Sequence, residues 1–506
     1  MSARQAPVAA ETGAGAGALH RWRATTATAA SKATSLGRPV IAWATLPVAA
    51  MDPIAAYGAL RTLDAWVTLW ARPEDDLTLV GLGRAWEFSG AGADRFTMAR
   101  DAWTALMRDA LTPAQAGMPA PRDPGSGTAS AEASLPSGPM AMGGFAFSAD
   151  PGPGVLWRGF ASSSLVLPEL TIVATAAGVT VTLAAVLAPG ATDDPGRADR
   201  PLALLAAVER VAREIASPGT PAVRDPSGAP AVVLEEFPPA AAWKAAVAAA
   251  AAAVREGRLA KVVLARGVRV RGHGVDPAAA LRRLRAEYPS CTLFAVEREG
   301  HCFLGATPER LARVAGGRVH TMALAGSAPR GITDEDDRAI GRALLGSAKD
   351  RLEHALVVDA LREALAGMCE TIEVPPQPSL LRVSNVQHLC TPLAGVLRAG
   401  AGVLDVAERL HPTPAVGGVP RAAALPWIDE HEGFDRGWYA GPVGWVDRRG
   451  DGEFAVALRC ALTGGDEAVL FGGCGIVADS DPDAEYAEAG LKLRPMLSAL
   501  GANGTR

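Results

Sequence analysis

Short apolar runs that follow one another as hairpins constrain the fold of this chain more than any other feature. The run CTLFAVERE at 291–299 is followed at once by HCFLGAT at 301–307, with a single glycine between them. Amphipathic helical patterns, such as SAKDRLEHALVVDAL at 347–361, lie between groups of strands rather than after each strand. This order predicts an α+β fold of antiparallel sheets with helices packed outside them, because a doubly wound parallel sheet needs a crossover helix after nearly every strand.

Composition divides the chain into three parts. Residues 1–37 are rich in Ala, Thr, Gly and Ser and are predicted to be a disordered tail, with an organellar transit peptide as the alternative. Residues 38–234 are predicted to form the N-terminal part of the fold, and residues 235–500 carry the candidate catalytic residues. Exposed loops are expected at 119–137 and 189–201, where Pro, Gly and charged residues accumulate.

The overall composition excludes several classes of protein. Hydrophobic residues make up 49% of the chain, which is enough for a large core, and the net charge of −5 with scattered Lys and Arg argues against a nucleic-acid partner. No uncharged apolar run approaches the ~20 residues of a membrane span. A cytoplasmic monomer or homodimer is therefore expected. The cysteines show no C-x-x-C pair and are expected to be buried, reduced thiols: Cys291, Cys302, Cys369, Cys390, Cys460 and Cys474.

Two polar residues border apolar runs where composition alone does not explain them. Lys261 opens the run KVVLAR, where a lysine is either a solvated strand end or a partly desolvated general base. Glu309 follows a Thr-Pro pair directly after HCFLGA. It is either a surface acid or, if apolar walls hold it, a carboxyl with a raised pKa that can donate a proton.

Two further carboxylates lie on predicted helices. Glu353, beside His354, lies at the margin of the apolar face of its helix, and Glu488 lies four residues before Lys492 on the last helix. Both arrangements also occur as ordinary solvated pairs on exposed helices. The alternative is a magnesium site, because Mg²⁺ binds one or two protein carboxylates and completes its shell with water and substrate oxygens.

Three elements are suited to binding anions. LAGSAPRG at 324–331 and GGCGIV at 472–477 are predicted to be loops whose small residues let backbone N–H groups approach an anion. Arg459 is predicted to lie within the strand FAVALRC, in a three-stranded antiparallel set. An arginine buried by strand alternation requires a carboxylate partner.

Taken in order, these segments resemble the chorismate-utilising enzymes and, within them, the isochorismate synthases. The resemblance is strong over about 235–500 and weak over 38–215. It implies one large two-lobed domain with the active site in the central cleft, chorismate as substrate and Mg²⁺ as cofactor. The matching runs are KVVLAR, FLGATPERL, LAGSAPRG, SAKDRLEHALVVDAL, VQHLCTPLAG, LHPTPAVGGVPR, FDRGWYAGPVGW, FAVALRC, FGGCGIV and AEYAEAGLKL.

The resemblance also implies a role for each matching residue. Lys261 would be the base that activates water to attack C2 of chorismate, and Glu309 the acid that protonates the departing C4 hydroxyl. Glu353 and Glu488 would bind Mg²⁺. The implied substrate contacts are Arg459 and Tyr439, with backbone of Gly473 and Gly475, at the enolpyruvyl carboxylate; Gly326 and Ser327 at the ring carboxylate; Lys492 near the metal; and His388 near the ring.

Individual positions distinguish the members of the resembled family. Anthranilate synthases carry Gln at the position of Lys261, and aminodeoxychorismate synthases carry Lys at the position of Ala325, so no amidotransferase subunit is expected. An isochorismate synthase for menaquinone biosynthesis is preferred. The alternatives are a salicylate synthase, which also eliminates pyruvate, a siderophore-branch isochorismate synthase, and an inactive chorismate-binding homologue. The chain departs from the family pattern at Cys474, where Ala is commoner, and at Ala489, where Thr is usual.

Overall fold

The computed structural model describes residues 13–113, 136–150, 156–190, 196–216, 232–271, 276–383 and 386–502. Helices and strands alternate along them in groups, as the hairpin pattern predicts. The helices are α1 (Gly13–Leu36), α2 (Pro53–Leu60), α3 (Arg95–Met107), α4 (Gly196–Ala216), α5 (Ala240–Arg255), α6 (Pro277–Glu287), α7 (Asp334–Gly346), α8 (Ala348–Ala366), α9 (Val403–Leu410), α10 (Arg421–His431) and α11 (Pro482–Ala499).

The strands fall into a group before residue 240 and a longer group after it. The first group is β1 (Val40–Val48), β2 (Trp66–Arg72), β3 (Leu77–Leu82), β4 (Trp86–Gly90), β5 (Met140–Phe145), β6 (Ser163–Leu167), β7 (Leu170–Thr175), β8 (Gly178–Leu187) and β9 (Val232–Phe237). The second group is β10 (Lys261–Arg271), β11 (Thr292–Arg298), β12 (His301–Thr307), β13 (Arg310–Ala315), β14 (Arg318–Pro329), β15 (Cys369–Glu373), β16 (Ser379–Arg382), β17 (Val386–Leu397), β18 (Gly418–Val419), β19 (Pro442–Asp447), β20 (Gly452–Val456), β21 (Cys460–Gly464) and β22 (Glu467–Ile476).

These strands form two large sheets, and each sheet contains strands from both groups. The first sheet has the order β1-β8-β7-β3-β2-β11-β12-β21-β22-β10-β18, with β9 also paired to β10. The second has the order β15-β17-β14-β13-β20-β19-β5-β6-β4, with β16 also paired to β17. Every ladder between these strands is antiparallel, so the predicted α+β class is confirmed.

The main hydrophobic core draws side chains from both sheets. Phe294 and Phe303 of the first sheet and Phe145 and Phe454 of the second belong to one cluster of buried residues. A second cluster combines the first sheet with helices α1, α2, α4, α6 and α11. Among the described residues, no helix is long and apolar enough to cross a bilayer.

Three helices begin at an Asp-Pro pair that the sequence displays openly. Asp52, Asp276 and Asp481 cap α2, α6 and α11, and each side chain accepts hydrogen bonds from backbone N–H groups of the first turn. Proline follows each of them at the first helical position, where its missing N–H costs nothing. Ser347 caps α8 by accepting a hydrogen bond from the N–H of Asp350.

The prediction of a disordered tail is wrong for residues 13–36, which form α1. Trp22 is 1% exposed, and its indole N–H donates to Ala198 O at 2.7 Å. Ala29 and Ala33 are fully buried where α1 packs on β1 and β8. Alanine lets a helix approach a sheet closely, but it gives little hydrophobic contrast along the sequence, which is why this helix was missed.

The structure tests only one of the two predicted loops. The expected loop at 119–137 lies outside the described residues except for its last two positions. The expected loop at 189–201 is wrong from residue 196, because α4 begins at Gly196. Arg200 secures this first turn by ion pairs with Asp64 and with Glu169, the latter at 2.5 Å. Long-range ion pairs of this kind leave no local sequence signal.

A buried ion pair covers the middle of one edge of β10. On that edge β18 pairs only with the first two residues of the strand, and β9 pairs only with its second half. Between them, Glu432 accepts from Ala265 N and Arg436 donates to Val263 O, both at 2.8 Å. Trp243 donates to Ala265 O at 2.9 Å. Side chains therefore satisfy the backbone groups that a neighbouring strand would otherwise bond.

Replacing Arg436 by Met is expected to destabilise the protein by about 3–5 kcal/mol, because Glu432 would remain buried without its cation. The two side chains are 4% and 2% exposed and form two 2.5 Å hydrogen bonds. Thermal or denaturant unfolding measures the loss. Arg362→Met, which breaks an exposed pair with Asp359, is the control. An equal effect of the two substitutions would contradict the assignment.

Candidate active site

Two of the connections between the two sheets lie side by side. One runs from β12 in the first sheet to β13 in the second and carries Glu309, and the other runs from β20 in the second sheet to β21 in the first and carries Arg459. Val456 N donates to Glu309 O at 3.0 Å, and Ala306 N donates to Arg459 O at 3.2 Å. The connection that carries Glu309 therefore bonds to the end of β20, and the connection that carries Arg459 bonds to the end of β12. The side chains of Glu309 and Arg459 both lie at the junction of the sheets.

This connection corrects the predicted three-stranded set. The run from Pro442 to Ile476 forms two hairpins, β19–β20 in the second sheet and β21–β22 in the first. Arg459 lies in the crossover rather than within a strand, and its φ of 46° places it in the left-handed region. A non-glycine residue adopts that conformation at a cost that the surrounding structure must offset. Apolar alternation continues through FAVALRCALT and cannot reveal a change of sheet.

A cavity of about 300 Å³ opens at this junction. All twelve residues predicted for the site line it, although they come from widely separated segments. They are Lys261, Glu309, Gly326, Ser327, Glu353, His388, Tyr439, Arg459, Gly473, Gly475, Glu488 and Lys492.

Lys261, the first residue of β10, is 3% exposed and forms an ion pair with Glu353 of α8. Its Nζ lies 2.7 Å from Glu353 Oε1. A Cβ atom on Gly475 would lie 2.5 Å from Lys261 Cε, so a larger residue there would displace the end of this side chain. His354, buried beside Glu353, holds α8 against the second sheet through Thr391 Oγ1 at 2.7 Å.

Glu309 is 7% exposed and has an unusual electrostatic environment. Burial raises the pKa of its carboxyl to about 7, although the nearby charges of Lys261, Lys492 and Arg459 favour ionisation. A carboxyl with such a pKa is partly protonated near neutral pH and can donate a proton.

Glu488 and Lys492 face the cavity from α11. Their side chains form an ion pair at 2.8 Å, and Lys492 Nζ donates to Gly473 O at 3.0 Å. Burial by itself would raise the pKa of Glu488, but the charge and hydrogen bond of Lys492, together with the charges of Lys261 and Lys349, bring the pKa below its ordinary value, so the carboxylate is ionised at neutral pH. The carboxylates of Glu353 and Glu488 therefore reach one cavity from two helices, each beside a lysine.

The described part of the chain contains no cluster of three or more His, Cys, Asp or Glu residues arranged to hold a metal ion. Two carboxylates at one cavity nevertheless fit Mg²⁺, which needs few protein ligands when water and substrate supply the others. Glu353 and Glu488 are the residues that would hold it.

Tyr439 and two glycines form a further part of the cavity wall. Tyr439 stacks on Phe471 with ring centroids 5.1 Å apart, and burial raises the pKa of its hydroxyl, which stays neutral. Gly473 lies opposite Ala265 of β10, and Gly475 lies opposite Val263. The backbone groups of Ala265 and Val263 bond to groups on the far side of β10 and so point away from β22. In an antiparallel ladder both members of such a pair point outward, so the N–H groups of the two glycines face the cavity.

The two segments predicted to be loops are largely strands. Residues 324–329 belong to β14, which carries a bulge at Gly326, and residues 472–476 belong to β22. Gly326 has a φ of 76°, which glycine adopts readily and which forms the bulge. Because the bulge takes up this one residue, the ladder continues on both sides of it. The cavity is therefore bounded by strand ends, which are more rigid than loops.

Sequence reasoning missed three charged residues that also line the cavity. Lys349 and Asp350 lie on α8, and Glu485 lies on α11. Asp350 and Glu485 each precede a predicted metal ligand by three residues. Because residues three apart share a helix face, this spacing was the signal that would have found them.

Comparisons with known proteins agree with this geometry. A family model described as "Chorismate binding enzyme" matches residues 27–501. The chain belongs to the chorismate-binding enzyme family. The salicylate biosynthesis isochorismate synthase of Pseudomonas aeruginosa is 39% identical over 96% of this chain and 95% of its own length. The isochorismate synthase MenF of Bacillus subtilis is 35% identical over 93% and 95%.

A solved structure supports the fold. The menaquinone-specific isochorismate synthase MenF of Escherichia coli superposes with a TM-score of 0.71 at 24% sequence identity, covering 94% of this chain and 100% of that structure. Family members therefore share the two-sheet architecture that brings the distant segments of this chain to one cavity.

Proposed function

We propose that this chain is an isochorismate synthase that converts chorismate to its isomer isochorismate. The observation that carries the proposal is the meeting of Lys261, a buried amine, and Glu309, a carboxyl with a pKa of about 7, at one cavity. Relatives aligned over nearly their whole length carry the name isochorismate synthase, which supports the same reaction.

The proposed reaction exchanges a hydroxyl group without oxidation or reduction. Lys261 is proposed to accept a proton from a water molecule as that water forms a bond to C2 of the ring. Both ring double bonds shift, from C1=C2 to C1=C6 and from C5=C6 to C4=C5, as the bond from C4 to its hydroxyl breaks. Glu309 protonates the departing oxygen, which leaves as water. One water enters and one leaves, so substrate and product are isomers, and no redox cofactor is needed.

The remaining residues bind and orient the substrate. Arg459 and Tyr439, with the N–H groups of Gly473 and Gly475, are proposed to hold the enolpyruvyl carboxylate. Mg²⁺ bound by Glu353 and Glu488 would neutralise the ring carboxylate. Fixed donors and cations of this kind stabilise developing charge without having to reorganise.

The proposal extends to pathway and location. Similarity to MenF over nearly the whole chain supports a role in menaquinone biosynthesis. The second candidate is salicylate supply, which the 39% identity to the Pseudomonas protein favours. A cytoplasmic location is consistent with the cysteines, all six of which are buried and free.

The test is to incubate the purified protein with chorismate and Mg²⁺ and to separate the products by chromatography. Isochorismate without pyruvate is the expected result. Salicylate with an equal amount of pyruvate would instead identify a salicylate synthase. Unchanged chorismate in the presence of Mg²⁺ would overturn the proposed function and indicate a chorismate-binding homologue.

Replacing Lys261 by Ala is expected to lower kcat for isochorismate formation by about a hundredfold or more, because the base that activates water is lost. Circular dichroism should show an intact fold. Lys244→Ala is the control, since Lys244 forms a surface ion pair with Asp483 on the outside of α11. A Lys261→Ala enzyme with near-normal turnover would refute the base assignment.

The value of kcat/KM is expected to fall as the pH rises above about 7. Glu309 has a raised pKa, so its acid form is present below about pH 7 and is lost as the pH increases through that value. A pH–rate profile measures this limb. The Glu309→Gln enzyme should lose both the limb and most of its activity, whereas Glu373→Gln, at an exposed site on β15, should retain the wild-type profile.

Replacing Glu488 by Gln is expected to raise the Mg²⁺ concentration needed for half-maximal activity, because an amide oxygen is a weaker ligand than a carboxylate. Titration of activity with Mg²⁺ measures the change. Glu370→Gln, at an exposed position on β15, is the control. An unchanged Mg²⁺ titration in Glu488→Gln would remove this residue from the metal site.

A further inference from the structure

Arg459 is a buried guanidinium with few protein partners. It is 7% exposed, it forms no salt bridge within the described ranges, and its Nη1 has no hydrogen-bond partner there. Its Nη2 lies 3.4 Å from Nε2 of His388. A buried donor left open in this way is prepared for a ligand acceptor, and the histidine contact fixes where that donor points.

The partners of His388 determine which of its nitrogens carries the proton. Arginine only donates hydrogen bonds, so Nε2 of His388 must accept, and the proton must lie on Nδ1. Nδ1 is 2.7 Å from Oγ of Ser327, which can accept it. The three side chains therefore form a directed chain in which Arg459 donates to His388 and His388 donates to Ser327.

His388 is neutral throughout the physiological pH range. Burial lowers the pKa of its imidazole to about 3, and the positive charges of Arg459 and Lys492 act in the same direction. An imidazolium would have no lone pair to offer Arg459. At neutral pH His388 is not an imidazolium and cannot act as a general acid. Its contribution is to accept a hydrogen bond.

Two local backbone features lie at the ends of this hydrogen-bonded chain of side chains. The bulge at Gly326, whose φ of 76° glycine adopts without strain, shifts the register so that Ser327 lies opposite His388 in the ladder of β14 and β17. Arg459, which is not a glycine, has the left-handed φ of 46°. Strain at such a residue persists where it positions a functional group, and here the bulge and the strained residue bring side chains to one histidine.

We infer that His388 is a positioning residue that holds the Arg459 guanidinium toward the side-chain carboxylate of the substrate. Ser327 fixes the tautomer that makes this possible. The inference rests on the proposed function, because it specifies how one carboxylate of a cyclic dicarboxylate is recognised. It assigns His388 to substrate binding through Arg459 rather than to the proton transfers.

Three substitutions of His388 separate this role from others. Gln places an amide oxygen near the position of Nε2 and keeps an acceptor for Arg459. Asn ends near the position of Nδ1, and Met offers no comparable acceptor. We expect KM for chorismate to rise about tenfold in His388→Met and His388→Asn, with kcat changed much less, and to stay near the wild-type value in His388→Gln.

The matched controls are Ser327→Ala, expected to raise KM in the same direction but less, and His301→Gln, expected to change nothing. His301 lies at the far end of β12, opposite Gly464. A Gln variant as impaired as the Met variant would overturn the inference, since accepting a hydrogen bond would not be the role. A loss of kcat at unchanged KM would overturn it by placing His388 in the chemistry.

The product assay and a binding assay distinguish the two proposals. If the wild-type protein forms no isochorismate, the proposed function is wrong, and calorimetric titration with chorismate still ranks the His388 variants. If the wild-type protein is active but chorismate binds equally to the Met and Gln variants, only the positioning role is wrong. Gln binding about tenfold more tightly than Met supports it.

Discussion

The paired crossovers between the two sheets are the constraint on which the rest of the structure depends. Glu309 O on one crossover accepts from Val456 N at the end of β20, and Arg459 O on the other accepts from Ala306 N near the end of β12. Neither crossover can therefore move without disturbing both sheets. Glu309 and Arg459 lie on these connections, so the packing of the two sheets sets the distance between the two side chains. Such placement gives a rigidity that a site built on surface loops lacks.

The charges around the cavity are arranged so that similar side chains differ in protonation. Glu488 is kept ionised by Lys492, whereas Glu309, buried more completely, has a pKa near 7 despite the same lysine. His388 is held neutral by burial and by neighbouring cations. Differences in burial and pairing therefore separate the proposed metal-binding carboxylate from the proposed proton donor, as acid–base catalysis requires.

Outside the cavity, the buried pair of Glu432 and Arg436 supports the strand that begins with Lys261. The pair contacts backbone atoms of β10 and, through Arg436 Nη1, the carbonyl of Val416 on the cavity wall. Charged groups are costly to bury, and this pair is tolerated because nearly every polar atom has a partner. Its effect is to provide hydrogen-bond partners for the backbone groups on the part of the β10 edge that no neighbouring strand reaches.

The sequence by itself determined the α+β class and the helix starts at Asp-Pro pairs, because capping and strand alternation are local, and its motifs pointed, through resemblance to a family, to twelve of the residues that line the cavity. It did not reveal α1, whose alanine face has little contrast, or the change of sheet at Arg459, where alternation continues unbroken. Only the tertiary structure decided the pKa of Glu309, the tautomer of His388 and the pairing of Lys261 with Glu353. Those properties depend on burial and on partners far away in the sequence, such as Lys492 for Glu309, and local sequence carries no record of them.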